Sequence, residues 1–366
     1  MVNIRVLFLS TGLGYGGAET QLLYLCEALA LKGVECIVVS MVDDELGLLH
    51  RFEAKGIVVE TLGMKRGKIS LGAFFRYFKL IREFKPDIVH SHMIHANIFS
   101  RIFRFFHKAP LINTAHNVYE GSKLLESFLR ATNYLCDHFT QVSDEGLKRY
   151  SVQNLLPDGN GAVMKNCVNT PSDIEPANVR ELFNIACDGF LFINVGRLEC
   201  VKNHMLLLDA ISEKENVYCL IIGDGYLKND IIRRINELGL ENRVFLLGKR
   251  DDIYSLMAAS DCFIMTSNYE GFPISILEAI SCSLPVISTD VGDIHKVVDE
   301  NNGVLISPGD LASLKLAIEK LVSSSPAQLR QMRKISKVRA ASYSAEVVAE
   351  SWLFEYNKII SSQFGS

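Results

Sequence analysis

Residues 262–278, CFIMTSNYEGFPISILE, place a short apolar strand run directly before a loop and a helical pattern, and they carry two carboxylates eight residues apart, Glu270 and Glu278. Eight residues of helix amount to about 800° of rotation, so two such acids would lie roughly 80° out of line on one helix. With Glu270 in the loop and Pro273 in the first helical turn, where a missing N–H is tolerated, both acids can instead face one ligand from different heights. The first-turn N–H groups, which have no intrahelical acceptor, can bind phosphate or sugar oxygens. The pattern therefore suits a polyhydroxylated, phosphorylated partner, against the plainer alternative of a strand-turn-helix unit with surface acids.

Working outward, the chain alternates short β-branched runs with longer helical patterns. Strands are expected at 4–9, 35–41, 57–60, 87–90, 110–114 and 138–142, and again at 190–195, 217–222, 244–247, 262–266, 285–288 and 303–306. Such alternation predicts parallel sheets covered by helices, hence an α/β chain with two doubly wound, Rossmann-like domains. The segment 169–188, with Pro171, Pro176 and a cluster of Asn, Asp and Ser, reads as the linker, with a hinge near residue 170. After Ser325-Pro326 the chain reads as helix to its end, with an apolar stripe of Val347, Val348, Trp352, Leu353, Tyr356 and Ile359.

A chain of 366 residues suits two domains. Its 48% apolar content supports sizeable cores, but apolar runs such as 36–39 are far too short to span a bilayer. Strand-like residues follow the N-terminus with no leader pattern, and nine scattered cysteines with no Cys-x-x-Cys spacing read as reduced thiols, so a cytoplasmic protein without zinc is expected. Residues 65–110 hold ten Lys and Arg against two acids, Glu83 and Asp87, interleaved with Phe74, Phe75, Phe78, Phe84, Phe99, Phe103, Phe105 and Phe106. This is either a core stripe with a solvated basic face or a peripheral docking surface for anionic membrane. No nucleic-acid partner is expected.

Residues 12–17, GLGYGG, match Gly-x-Gly-x-x-Gly between a strand and a helix, which taken alone says dinucleotide binding. The second strand, however, ends at Ser40 and Met41, with Asp43 and Asp44 only beyond it, so the fingerprint lacks its acid. His90, His92 and His95 resemble a metal cluster superficially, but no acid or cysteine completes it, and no metal is expected.

The Glu-x7-Glu spacing resembles the signature of retaining, nucleotide-sugar-dependent glycosyltransferases of the GT-B fold, and the Glu-Gly-Phe-Pro wording resembles family 4 in particular. The resemblance covers nearly the whole chain and is most specific between 190 and 310. It implies two Rossmann-like domains facing a deep cleft: 1–168 for the acceptor, 169–344 for the donor, and a helix within 345–366 crossing back onto the first domain. By resemblance, Glu270 contacts the sugar and Glu278 the ribose hydroxyls. Arg197 and Lys202 bind the diphosphate, and His116 presents its imidazole to the donor sugar. Gly16, Gly17, Gly223, Gly225, Gly271, Phe272, Pro273 and Ile274 line the donor site, and Lys249 or Arg250 lies beside the nucleobase. His92, His95 and Asn117 fall on the acceptor side. Two segments depart from the family wording, Lys165-Asn166-Cys167-Val168-Asn169 and Gly292-Asp293.

The expected activity is retaining transfer of a hexose or N-acetylhexosamine from a UDP- or GDP-linked sugar to a lipid-linked oligosaccharide. A polyprenyl-diphosphate-linked glycan acceptor in bacterial surface-polysaccharide synthesis is implied, with no cofactor and no metal. An NAD(P)-dependent dehydrogenase and a non-catalytic sugar-nucleotide sensor are the alternatives.

Overall fold

The computed structural model describes residues 4–43, 46–68, 70–157 and 159–364; Asp44 and Ile69, which fall in segments read above, lie outside the described residues. The chain divides into two compact units, Met1–Cys167 together with Ala345–Ser366, and Val168–Ser344.

The first unit is a parallel sheet of β1 (Arg5–Ser10), β2 (Glu35–Val42), β3 (Val58–Met64), β4 (Ile88–His92), β5 (Leu111–Ala115), β6 (His138–Gln141) and β7 (Gly161–Val163), in the order β3-β2-β1-β4-β5-β6-β7. Its central strands are buried on both faces, as the runs VLFL and LINTA require of strands covered by helices. The second unit holds β8 (Phe190–Val195), β9 (Val217–Ile222), β10 (Val244–Gly248), β11 (Cys262–Met265), β12 (Val286–Thr289) and β13 (Gly303–Ile306), in the order β10-β9-β8-β11-β12-β13. Both sheets thus reverse direction beside their first strand, at β1/β4 and at β8/β11. In open parallel sheets that reversal leaves a crevice beyond the carboxyl ends of the strands, where ligands bind.

Four sequence expectations change. The three-residue β7, half-buried and starting at a glycine, carries no periodic signal and was not expected. Pro273 caps the helix Ile274–Ser281 in extended conformation (φ −71°, ψ 127°), one residue ahead of the first turn. The C-terminal helix is not continuous. Pro326–Ala340 and Ala345–Phe364 are separated by a turn at Ala341–Tyr343, where the Val168 N–H donates to the Tyr343 carbonyl at 2.8 Å, a long-range pairing that no local pattern announces. The later part of segment 169–188 is packed, with Val179 buried and Arg180 reaching Asp261 at 2.7 Å.

The helix Ala345–Phe364 belongs to the first unit, where Val348, Trp352, Tyr356 and Ile359 are buried, while Val347 is exposed. Burying side chains of that size contributes about 2 kcal/mol each. Residues 65–110 also divide. Phe74, Phe99 and Phe103 stack on one another at 4.9–5.4 Å inside the core with Tyr77 and Ile81. Arg101 is fully buried, donating to Asn113 Oδ1 and the Leu129 carbonyl, so it is no part of a basic face. Leu71, Phe75, Phe105 and Phe106 stay exposed. All nine cysteines are free.

Candidate functional site

In the second unit the reversal point collects the acids and cations. After β8 the chain passes Gly196 and Arg197 into a short turn, Cys200–Lys202, followed by Asn203 in left-handed conformation (φ 48°). The Thr266 hydroxyl, just past β11, donates to the carbonyls of Lys202 (3.1 Å) and Asn203 (3.0 Å), and the Asn268 N–H donates to the Val201 carbonyl at 2.7 Å. These bonds fasten the turn to the loop that carries Glu270. Lys202 Nζ then reaches Glu270 Oε1 at 2.5 Å, with the Glu270 side chain 9% and the Lys202 side chain 16% exposed. Four residues further, Ile274 opens the helix that holds Glu278, also buried. Phe272 is packed on Tyr343 at 5.3 Å, and the Gly271 carbonyl accepts the Asp293 N–H at 3.2 Å. A Cβ on Gly292 would lie 2.1 Å from the Gly271 carbonyl oxygen, so glycine is required at that position, and the departure from the family wording falls on the next residue, Asp293.

Other expected donor residues are engaged by the protein itself. Arg197 pairs with Glu199 at 2.9 Å, and Arg250 makes a two-pronged pair with Asp252 at 2.8 and 2.6 Å. Gly223 (φ 143°) and Gly225 were expected to let a ligand approach. A Cβ on Gly223 would lie 1.9 Å from the Gly196 carbonyl oxygen, and one on Gly225 2.4 Å from that of Leu198. The two glycines let the ends of β8 and β9 pack together, and so fix where Arg197 leaves the sheet.

In the first unit Gly16 caps the helix Gly17–Leu31 beyond β1. His92 ends β4 and His116 follows β5, and their rings meet at His92 Nδ1···His116 Nε2, 2.9 Å. His90, one turn of pleat earlier on the same face, bonds Tyr356 (2.8 Å) and Thr114 (2.7 Å). Burial drives His116 down to about 4, and drives His90 and His92 well below the ordinary histidine value with help from neighbouring imidazoles. All three are neutral near pH 7. His95 and Asn117 are exposed, so the three histidines at 90, 92 and 95 do not converge, and among the described residues no group of three metal-ligating side chains does.

Sequence reasoning missed Glu120. Its Oε1 accepts the backbone N–H groups of His116 (2.6 Å) and Asn117 (3.2 Å), which closes the loop beneath the His116 ring. Burial pushes this carboxyl up to about 7, although those backbone donors pull it down. Its signal was an acid four residues beyond His116 at a strand end, a spacing that fits a side chain folding back on a turn.

Residues 178–339 match the family model of glycosyl transferases group 1, and residues 15–171 match that of Glycosyltransferase Family 4. The Escherichia coli UDP-Gal:alpha-D-GlcNAc-diphosphoundecaprenol alpha-1,3-galactosyltransferase is 30% identical over 271 residues, 67% of this chain and 68% of that protein. This chain belongs to the family 4-type glycosyltransferases. A glycosyltransferase of Methanocaldococcus jannaschii is 31% identical over 241 residues, covering 59% of this chain and 58% of the relative's length. Among solved structures, Anabaena HepE in complex with UDP and glucose superposes with a TM-score of 0.83 at 23% identity, over 97% of this chain and all of that one. The fold of this glycosyltransferase is therefore GT-B, and the two Rossmann-like sheets expected from sequence are present.

Proposed function

We propose that the chain moves a hexose or N-acetylhexosamine from a UDP- or GDP-linked sugar to a hydroxyl of a polyprenyl-diphosphate-linked glycan in surface-polysaccharide synthesis, retaining the anomeric configuration. The observation that carries this reading is the Lys202–Glu270 pair at the β8/β11 reversal, one short loop before the helix bearing Glu278. A diphosphate arriving there competes with Glu270 for Lys202 and frees the carboxylate to accept sugar hydroxyls. Glu278 is assigned to the ribose, and Arg197, released from Glu199, joins Lys202 on the diphosphate. Negative charge grows on that leaving group as the glycosidic bond breaks, so fixed cations there stabilise the transition state more than the ground state. The acceptor oxygen forms its bond to the anomeric carbon on the face the diphosphate leaves. The acceptor proton passes to a departing phosphate oxygen, so no glycosyl-enzyme bond and no metal ion are required. His116 donates to a sugar hydroxyl as a neutral imidazole.

The printed name of the Escherichia coli relative, with its UDP-Gal donor and diphosphoundecaprenol acceptor, and the UDP and glucose in the HepE complex support the choice of donor and acceptor. No described helix is long and apolar enough to cross a membrane. Exposed Leu71, Phe75, Phe105 and Phe106, flanked by exposed Arg76, Lys79, Arg82 and Lys108, are proposed to rest on the anionic membrane that holds the acceptor.

The test is a thermal-shift panel of UDP, GDP, ADP, NAD and NADP without added metal. A ligand at about 100 times its Kd stabilises the native state by about 2.7 kcal/mol. UDP or GDP is expected to raise the midpoint, and Glu278→Ala to abolish the shift. Stabilisation by NAD alone would overturn the reading in favour of a dehydrogenase.

A further inference from the structure

The His92–His116 contact shares a single proton between two neutral rings, and the two possible arrangements have different consequences. If His92 Nδ1–H donates to His116 Nε2, His116 carries its own proton on Nδ1 and His92 Nε2 is a bare lone pair. If His116 Nε2–H donates, His92 must carry a proton on Nε2 and His116 Nδ1 is bare. His92 Nε2 is fully buried without a hydrogen-bond partner among the described residues. A buried N–H without an acceptor is rarer in proteins than an unused acceptor lone pair, which favours the first arrangement. Neither ring packed against His92 accepts that proton: the His90 ring, 4.2 Å away, has both nitrogens committed to Tyr356 and Thr114, and Phe8 offers only a ring face.

We propose that His92 is a positioning residue that fixes the tautomer of His116, so that His116 presents Nδ1–H as an uncharged donor to an oxygen of the bound ligand. The backbone holds both rings to this task. Met93, directly after His92, adopts φ 73° and ψ 152°, a conformation side-chain-bearing residues avoid, and its N–H donates to the Thr114 carbonyl at 3.1 Å. On the other side Glu120 grips the His116 N–H at 2.6 Å. His116 Nδ1 makes no hydrogen bond among the described residues and is not one of the fully buried unpartnered atoms, so it is the open end of the pair. The outward donor role rests on the ligand reading above, whereas the tautomer itself does not.

Long-range proton–nitrogen correlation NMR on the full chain with 15N-labelled histidine tests this directly. His116 is expected with Nδ1 protonated and Nε2 bare in the wild type. His92→Asn, whose amide N–H can replace the Nδ1 donor, is expected to keep that state, and His92→Leu to lose it. A wild-type His116 protonated on Nε2 overturns the proposal even if a variant fails to fold, as does an unchanged His116 tautomer in a folded His92→Leu. If the tautomer is as expected but no nucleotide shifts the thermal midpoint, the assignment of the ligand fails while the control of His116 by His92 stands.

Discussion

The two sheets share one strand order through six strands, yet the reversal points at β1/β4 and β8/β11 carry opposite chemistry. The first collects imidazoles and hydroxyls, His90, His92, His116 and Thr114, bonded to one another and uncharged. The second collects full charges, Lys202 with Glu270 and Asp293 with Lys296 at 2.6 Å, each beside its counter-charge. A buried titratable base can escape the cost of desolvation by shedding its proton, whereas a carboxylate and an ammonium held together keep their charges by pairing. The two reversal points, alike in strand order, therefore end in neutral groups on one sheet and in charged groups on the other.

The sharpest way to break this contrast is to unpair the charged side. Lys202→Met is expected to lower kcat by about 10²-fold, through lost stabilisation of the leaving diphosphate. It should also destabilise the protein by about 3 kcal/mol, because Glu270 is left buried without its partner. The double variant Lys202→Met with Glu270→Leu should recover much of that stability in urea unfolding but none of the activity. Equal unfolding midpoints for single and double variants would show that the pair is not coupled.

The neutral side is probed by pH. His116 titrates at about 4 in the fold against an ordinary 6.5, so between those values the unfolded chain binds more protons and stability falls as pH drops from 6.5 towards 4. A shift of that size amounts to on the order of 3 kcal/mol when complete. Glu120 has the opposite sign. Its pKa is raised from 4.5 to about 7, so its contribution is present below 4.5 and is lost as pH rises through 7. Thermal midpoints across pH 4–8 should therefore rise more steeply with pH in Glu120→Gln than in the wild type, and less steeply in His116→Asn. Parallel curves for all three proteins would contradict the assignment.

A smaller effect is expected where the terminal helix meets the neutral network. Tyr356→Phe removes the hydroxyl bonded to His90 Nδ1 and leaves that nitrogen buried, which costs about 1–2 kcal/mol in denaturant unfolding. The smallest lies on the surface. Phe75→Ser with Phe105→Ser, both strongly exposed, should change stability by no more than about 0.5 kcal/mol. The same pair of changes should abolish co-sedimentation with anionic vesicles at low salt. Unaltered sedimentation would remove these side chains from the proposed membrane contact.

Twelve of the thirteen strands were legible because each is a β-branched or aromatic run closed by a turn residue, and because two rounds of alternation leave little choice but parallel sheets. The short β7 and the break at residues 341–343 were not, since both depend on partners far away in sequence. The Glu270–Glu278 spacing was equally plain, as an offset between a loop and a helix start can be counted along the chain. What the sequence determined by itself was therefore which elements form and which residue types stand at their carboxyl ends. What those residues do to one another was decided by tertiary structure alone. Lys202 meets Glu270 because Thr266 and Asn268 tie two loops together, and Gly223 and Gly225 serve backbone packing because β8 and β9 end side by side. The histidines lose their charge only because the sheet and the terminal helix bury them together. Pairing and desolvation depend on distances through space, and a linear pattern of residues does not contain those distances.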